Sequence, residues 1–197
     1  MTMLVLINYK DGVILAADKR AVWKNGSEVS HVVSDEVDKI YTWNGGYITG
    51  CGYAPLLENV KNFASSNNIQ NVSEIIEYLK MVIESNTIHE KWINSTKFAL
   101  IYRTSDNFRA TTISANNYES RVLGDGAVTI IIEGVDTNNY KAKLEEAILQ
   151  GNFEIGNVIN ILSDLFQYAS NKSNTVSSIF DISLINIEGR GIRKIEN

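Results

Sequence analysis

Apolar residues recur along the chain with two spacings, and each spacing predicts one kind of element. Short runs rich in apolar and β-branched residues predict strands, and a glycine beside asparagine, aspartate or glutamate between two such runs predicts a hairpin turn. The runs are residues 3–8, 13–17, 39–43, 47–52, 97–104, 108–115, 119–124, 179–187 and 191–195, and the more polar segment 23–31 predicts a further hairpin. The predicted turns are residues 9–12, 25–26, 44–46 and 188–189.

Four other segments repeat apolar residues every three or four positions, which predicts helices with one buried face. Pro55, the only proline in the chain, suits the first turn of a helix, where its missing N–H is not needed. Ser73 is placed to cap the second helix. The helical segments run from Pro55 through Phe63, from Ser73 through Ile83, and over residues 140–150 and 155–169.

The order of these elements is strands, two helices, strands, two helices and strands. Helices in adjacent pairs, separated by antiparallel strands, predict two stacked sheets with a helical layer outside each, which is an α+β fold. With 197 residues and 44% hydrophobic composition, the chain is long enough to bury such a core. We therefore expect one domain over residues 1–197, without internal repeats or linkers.

Composition and charge exclude several classes of function. The formal charge is −5 and the basic residues are scattered, so we expect no binding to nucleic acid or to an anionic membrane surface. The apolar run at residues 4–7 is too short for a signal sequence, and no run approaches the roughly 20 residues of a membrane span. A single cysteine, Cys51, agrees with a cytoplasmic location, and two histidines give no plausible zinc cluster.

Thr2 is the first residue with candidate chemistry. Methionine is normally removed ahead of a small residue, which would leave the hydroxyl and a free α-amine together on Thr2. An α-amine has a usual pKa of about 8, against about 10.4 for lysine, so a useful fraction is neutral at cytoplasmic pH and can accept a proton. Considered alone, however, a threonine at this position is far more often simply the second residue.

The residues that follow make a larger pattern. Thr2 leads the first apolar strand, and the second strand ends in a D-x-R motif formed by Asp18 and Arg20. Lys39 opens a further strand, and the glycine-rich segment 48–57 runs into the first helix. In this pattern the chain resembles the proteasome β-subunit and HslV-type peptidase family of N-terminal nucleophile hydrolases. The resemblance covers most of the chain and implies the family's four-layer αββα sandwich.

The resemblance implies a role for each matching residue. Thr2 would be the nucleophile through its hydroxyl and the base through its freed amine. Lys39 would lower the pKa of that hydroxyl, and Asp18 would hold Lys39 charged and in place. Gly52 is the choice for the backbone N–H that stabilises the oxyanion, with Gly50 as the alternative. The pocket for the substrate side chain would be lined by Arg20, Ala21, Gly50 and Ala54.

Three features depart from the family pattern. The interval between Asp18 and Lys39 is longer than in the family, which places an enlarged hairpin near the site. Asp125 in the LGDG segment, which we expect to lead into a helix, stands where the family's G-S-G segment has a serine. In the family's later D-x-x-S element, Ser177 is retained near the amine but Asn174 replaces the acid. If Asp125 replaces that acid, substituting serine for it should reduce turnover.

The function that the resemblance implies is a threonine-type peptidase that forms an acyl-enzyme on Thr2 without a metal or other cofactor. The family also implies a homo-oligomeric ring with inward-facing sites, peptide or unfolded-protein substrates and, by analogy, an ATP-dependent unfoldase partner. One alternative is an inactive ring or scaffold subunit, which Asp125 and Asn174 favour and which retention of Met1 would indicate. Another is an enzyme on the same fold that transfers an acyl group from a non-peptide amide.

Overall fold

A computed structural model of the chain describes residues 2–25, 28–149 and 153–196. It contains about 34% helix and 35% strand in several antiparallel sheets, and the predicted α+β class is thereby confirmed. Three positions named above lie outside the described residues: Met1, the turn residue Gly26 and the helix end Gln150.

The described residues form twelve strands and five helices. The strands are β1 (Leu4–Tyr9), β2 (Gly12–Asp18), β3 (Ala21–Asn25), β4 (Glu28–Ser34), β5 (Tyr41–Trp43), β6 (Gly46–Cys51), β7 (Lys97–Arg103), β8 (Phe108–Ser114), β9 (Ser120–Val122), β10 (Val128–Ile131), β11 (Phe180–Asn186) and β12 (Gly189–Ile195). The helices are α1 (Ala54–Ser66), α2 (Val72–Ser85), α3 (Glu90–Asn94), α4 (Asn138–Leu149) and α5 (Ile155–Lys172).

The strands pair in two five-stranded sheets and one two-stranded ribbon. The first sheet has the order β10-β1-β2-β11-β12, the second has the order β5-β6-β7-β8-β9, and β3 pairs with β4. All of these pairs are antiparallel. Because β1 and β2 occupy inner positions of their sheet, residues at the start of β1 have protein on both flanks.

Three groups of buried side chains hold these elements together. The first joins β1, β2 and β11 to α4 and α5, and includes Val5 and Leu162. The second joins β6, β7 and β8 to α1 and α2, and includes Phe98 and Leu79. The third contains residues of both five-stranded sheets, among them Ile101. Alternate residues of β1 belong to the first and third groups, so the strand is buried at every position because both of its faces are covered.

Local sequence accounts for the helix boundaries with one correction. The α1 helix begins one residue before Pro55, which lies in its first turn as predicted. The α2 helix is capped by Asn71 and not by Ser73, because the Asn71 side chain accepts from the N–H of Glu74 and the Glu74 side chain accepts from the N–H of Asn71. This reciprocal pair satisfies two N–H groups that a cap at Ser73, two residues further on, would leave open.

Two elements were not predicted from the sequence. The short α3 helix lies in a segment with little apolar periodicity, and none of its residues is buried. The β10 strand follows the LGDG segment, so the expected helix at that place is wrong. The run of β-branched residues at 128–132 pairs with β1 along four residues, and this pairing selects the strand.

Among the described residues, no helix combines the length and the apolar character needed to cross a membrane.

Tyr9 provides a test of this packing. It is 5% exposed, stacks on Phe153 with ring centroids 4.1 Å apart, and has its pKa raised to about 12, chiefly by burial. Between about pH 10 and pH 12 the unfolded chain loses this proton while the folded chain keeps it, so stability falls as pH rises. We expect Tyr9→Phe to remove roughly 1 to 2 kcal/mol of that alkaline loss, measured by urea unfolding at two pH values. Equal losses in the two proteins would show that Tyr9 does not stay protonated.

Candidate active site

Asp18 is the buried residue around which the candidate site is built. It ends β2, between β1 and β11, and is 0% exposed. Its Oδ1 accepts a hydrogen bond of 2.8 Å from the N–H of Met3, the residue after Thr2. Its Oδ2 accepts from the N–H of Arg20 at 3.0 Å and from the N–H of Ser177 at 3.4 Å. The carboxylate therefore joins three chain segments beside Thr2.

Lys39 meets the same carboxylate. Its Nζ lies 3.0 Å from Oδ2 of Asp18 and donates at 2.7 Å to the backbone oxygen of Arg20. The residue is buried, and this burial lowers the pKa of its ammonium, whereas the charge of Asp18 acts in the opposite direction. A lysine ammonium has three N–H donors, and these two acceptors use two of them. As far as the described residues show, one donor is thus left for a further acceptor next to Asp18.

The Arg20 side chain has a different surrounding from the one predicted. Its Nε and Nη2 donate to the two carboxylate oxygens of Asp35, at 2.6 Å and 3.0 Å, and its Nη1 donates at 3.3 Å to the backbone oxygen of Asn174. Such a two-bond pair fixes the plane of the guanidinium. Arg20 is therefore held against two loops of the site, and the prediction that its side chain lines the substrate pocket is not supported.

Asp125 does not lie with these residues. Its Oδ1 accepts a hydrogen bond of 3.3 Å from the side chain of Asn8. Asn8 is the second-last residue of β1, at the end of the strand that is farther from Thr2. Six residues of extended strand span roughly 20 Å. The prediction that Asp125 stands beside the α-amine of Thr2 is therefore wrong. Asp125 precedes β10, and β10 must run along β1 before the chain reaches the end of the sheet where Thr2 lies.

The segment that does reach Thr2 is the end of β10. Leu4, two residues after Thr2, pairs in an antiparallel register with Ile131, the last residue of β10, and the chain bends just beyond it at Glu133 and Gly134. Gly134 follows with a φ of +75°, a conformation that favours glycine, and the chain then enters α4. Sequence reasoning missed these residues because it assigned no strand before the glycine, although the run of isoleucines there was a usable signal.

Gly52 has the backbone geometry expected of a residue that lies against a substrate. It stands between β6 and α1, is exposed, and has a φ of +121°. A Cβ at Gly52 would lie 2.5 Å from the Cα of Thr96, so a side chain does not fit there. Its neighbour Cys51 belongs to the buried group between the sheets, which also contains Leu4. Gly52 thus remains the candidate for the oxyanion N–H.

Gly50 has a packing role. It lies within β6 opposite Phe98, and a Cβ there would lie 2.4 Å from Cδ2 of Leu57 and 2.8 Å from the backbone oxygen of Lys97. The space beside its Cα is filled by α1 and β7. Gly50 as a wall of the substrate pocket is therefore wrong, because its missing side chain allows the helix to pack on the sheet.

The other two predicted pocket residues are accessible. Ala21 begins β3 and is half-buried, and Ala54 begins α1 and is exposed. Two surface cavities, one beside α3 and one between α4 and α5, are lined by other residues. The polar contacts of Asp18 therefore define the candidate site better than either cavity does.

No protein-family model matches the chain, and a search of curated proteins likewise finds no match. The membership predicted from the sequence pattern therefore stays a prediction.

The Asp18 and Lys39 pair should respond as a buried unit. Asp18→Asn leaves the buried ammonium of Lys39 without its counter-charge, so we expect a loss of about 3 to 5 kcal/mol in the free energy of unfolding. Combining it with Lys39→Met should cost less than the two single losses added together. Urea unfolding of the four proteins measures this coupling.

The exposed pair of Arg121 and Glu119 is a matched control, since its side chains are 74% and 47% accessible. We expect no measurable change in the free energy of unfolding from breaking it, because water screens an exposed ion pair. Strictly additive losses for Asp18 and Lys39 would contradict the buried pairing.

Asp125→Ser tests the corrected position of that residue. Asp125 lies beside Asn8, so its loss should lower stability by about 1 kcal/mol. The rate at which an acylating reagent modifies Thr2 should stay within about twofold of the original, because distant sites act independently. A large fall in that rate, in a variant that remains folded, would return Asp125 to the site.

Proposed function

We propose that the protein is a threonine-type amide hydrolase of the N-terminal nucleophile class, related to the proteasome β-subunit and HslV-type family and acting on peptides. The observation that carries the proposal is the Asp18 carboxylate, which bonds the ammonium of Lys39 through one oxygen and the residue after Thr2 through the other. In this proposal Thr2 is the nucleophile, Lys39 is the nearby cation and Asp18 is the group that orients both, and the contacts of Asp18 support that arrangement.

The packing supports the four-layer αββα sandwich that belongs to this class. One group of buried residues lies between α4 with α5 and the first sheet, and another lies between α1 with α2 and the second sheet. The third group combines residues of the two sheets. These three groups would be the interfaces between four layers, in the order helices, sheet, sheet and helices. The candidate site would lie at one end of the sheets.

The proposed reaction begins once Met1 has been removed. The Oγ of Thr2 attacks the carbonyl carbon of the substrate amide, and the α-amine of Thr2 takes the hydroxyl proton. The positive charge of Lys39 favours the alkoxide character that develops on Oγ, and Asp18 keeps that charge in place. The N–H of Gly52 is the proposed donor to the oxyanion of the tetrahedral intermediate.

The intermediate then collapses with cleavage of the C–N bond, and the leaving amine takes the proton from the α-ammonium. An ester on Thr2 remains. Water attacks this ester, with the α-amine again accepting a proton, and the cleaved C–O bond releases a carboxylic acid and restores the threonine. Every proton that moves is handled by groups of this chain and of the substrate, so no cofactor is proposed.

The wider setting is also proposed on the family resemblance. It comprises a homo-oligomeric ring with inward-facing sites, peptide or unfolded-protein substrates, an ATP-dependent unfoldase partner and a cytoplasmic location. In such a ring, restricted entry would limit the substrates to extended chains.

Labelling with a β-lactone tests the mechanism without knowledge of the substrate. Attack by Thr2 opens the lactone ring, and the released alkoxide takes a proton, so the intact mass should rise by the mass of one reagent. We expect a chain that begins at Thr2, with the label mapped to that residue. Thr2→Ala should abolish the label, and Lys39→Met should slow it by at least about 100-fold, because the stabilising charge is lost.

Lys19→Met is the matched control for Lys39→Met. Lys19 is also a buried lysine, but its ammonium bonds Asp38 and Asp181 and not Asp18. We expect this control, where folded, to label far faster than Lys39→Met. A label on any residue other than Thr2 would exclude the mechanism, and uniform retention of Met1 would favour the inactive scaffold subunit.

A further inference from the structure

The backbone of Arg20 lies inside the Asp18 and Lys39 pair. Its N–H donates to Oδ2 of Asp18 at 3.0 Å, and its carbonyl oxygen accepts from Nζ of Lys39 at 2.7 Å. The same carboxylate oxygen of Asp18 receives Nζ at 3.0 Å. The position of Arg20 therefore helps to determine where the ammonium of Lys39 points.

The side chain of Arg20 is held from the other direction by Asp35. The two charged groups form two parallel hydrogen bonds, of 2.6 Å and 3.0 Å, and the third contact of the guanidinium is the backbone oxygen of Asn174 at 3.3 Å. Side-chain exposure is 20% for Arg20 and 35% for Asp35, so the pair is partly shielded from water. Arg20 thus connects Asp35, the Asn174 loop and the Lys39 ammonium.

Asp35 also faces the site directly. The Arg20 guanidinium holds the pKa of Asp35 below its usual value, and the Ser177 hydroxyl and the Lys39 charge act in the same direction, while burial opposes them. The Ser177 backbone N–H in turn donates to Asp18 at 3.4 Å. Asp35 therefore interacts with Ser177 and with Lys39, the two residues that contact Asp18 through a backbone N–H and an ammonium respectively.

The origin of Asp35 in the sequence makes its position informative. It lies in the interval between Asp18 and Lys39 that is longer than in the resembled family, just after β4. Asn174, which Arg20 contacts, is neutral at the place where the family pattern has an acid. The longer interval between Asp18 and Lys39 thus supplies the carboxylate of Asp35 to a site where the Asn174 loop has none.

We infer that Asp35 is a positioning residue for the proposed reaction, fixing Arg20 and, through its backbone, the ammonium of Lys39 and the loop that carries Ser177. This inference rests on the proposed function, because it concerns how Lys39 is aimed at Thr2. It assigns to Asp35 the carboxylate function that the sequence pattern had given to Asp125.

The segment that carries Asp35 also makes contacts that only hold it in place, and the test must separate these contacts from the proposed role of Asp35. Asp38, three residues further on, bonds the ammonium of the buried Lys19, which also bonds Asp181 at 3.0 Å. The N–H of Val37 donates to the backbone oxygen of Lys19 at 3.1 Å. The segment is therefore also anchored to Lys19, the residue after β2, on contacts that do not include Arg20. Asp38→Asn is consequently a matched control that breaks an ion pair in the same segment.

The test compares the rate at which a β-lactone acylates Thr2 in the full chain and its variants. We expect Asp35→Asn to lower the maximal acylation rate by about 10- to 100-fold, with little change in the half-saturating concentration, because the ammonium is displaced from the hydroxyl. Asp35→Glu should recover part of the rate, since it restores a carboxylate for Arg20. Asp38→Asn should stay within about threefold of the original rate, because it leaves the contacts of Arg20 intact.

Each outcome decides between the inference and the proposed function. An original chain that begins at Thr2 and is not acylated there contradicts the proposed function, whatever Asp35 does. Acylation of the original chain together with an equal rate in Asp35→Asn, or with an equal loss in Asp38→Asn, overturns the inference alone. If Asp35→Asn does not fold, Arg20→Lys decides, because lysine keeps the charge and loses the two-bond pairing. An unchanged rate in Arg20→Lys overturns the inference, and a slower one supports it.

Discussion

The burial of one carboxylate is the constraint on which the rest of the site depends. Asp18 is 0% exposed, and an ionised carboxylate removed from water is costly unless hydrogen bonds and a counter-charge replace its hydration. It receives three backbone N–H groups and the ammonium of Lys39. These donors come from the residue before β1, from the turn after β2, from the loop before β11 and from the segment before β5. Satisfying a single charge thus fixes the relative positions of four separate parts of the chain.

The same requirement links the sheet to the chemistry that we propose. An inner strand carries Asp18 into the protein, so the groups that compensate its charge must come from neighbouring strands and from loops that fold over the end of the sheet. Thr2 stands at that end because Met3 is one of the donors. A second set of ion pairs, which joins Arg20 to Asp35 and Lys19 to Asp38 and Asp181, holds the segment before Lys39 against β2. Stability and proposed reactivity therefore depend on the same contacts.

Much of the fold could be predicted because its signals are local. The hairpin of β1 and β2 and the faces of α2 and α5 follow from residues close together in the sequence, and both appear where periodicity places them. The β10 strand was missed because its four residues are selected by pairing with β1, more than a hundred positions away. The Ser73 cap was wrong because Asn71 and Glu74 satisfy each other. Local propensity does not decide between such neighbours.

The sequence by itself determined the α+β class and the four hairpins whose turns it predicts, because these rest on short-range periodicity and on turn residues. The grouping of Thr2, Asp18, Lys39 and Ser177 was an expectation from the family resemblance, and the structure places both Lys39 and Ser177 in contact with Asp18. The tertiary structure alone decided which acid reaches the site. Asp125 does not reach the site, because β10 runs antiparallel to β1 and Asp125 lies beside Asn8. Asp35 reaches the site because its carboxylate pairs with the guanidinium of Arg20. The physical reason is that a charged group pairs with whatever partner is close in space. The separation along the sequence between Arg20 and Asp35, or between Asp18 and Ser177, does not predict these contacts. They are determined only when the strands pair and bring the segments together.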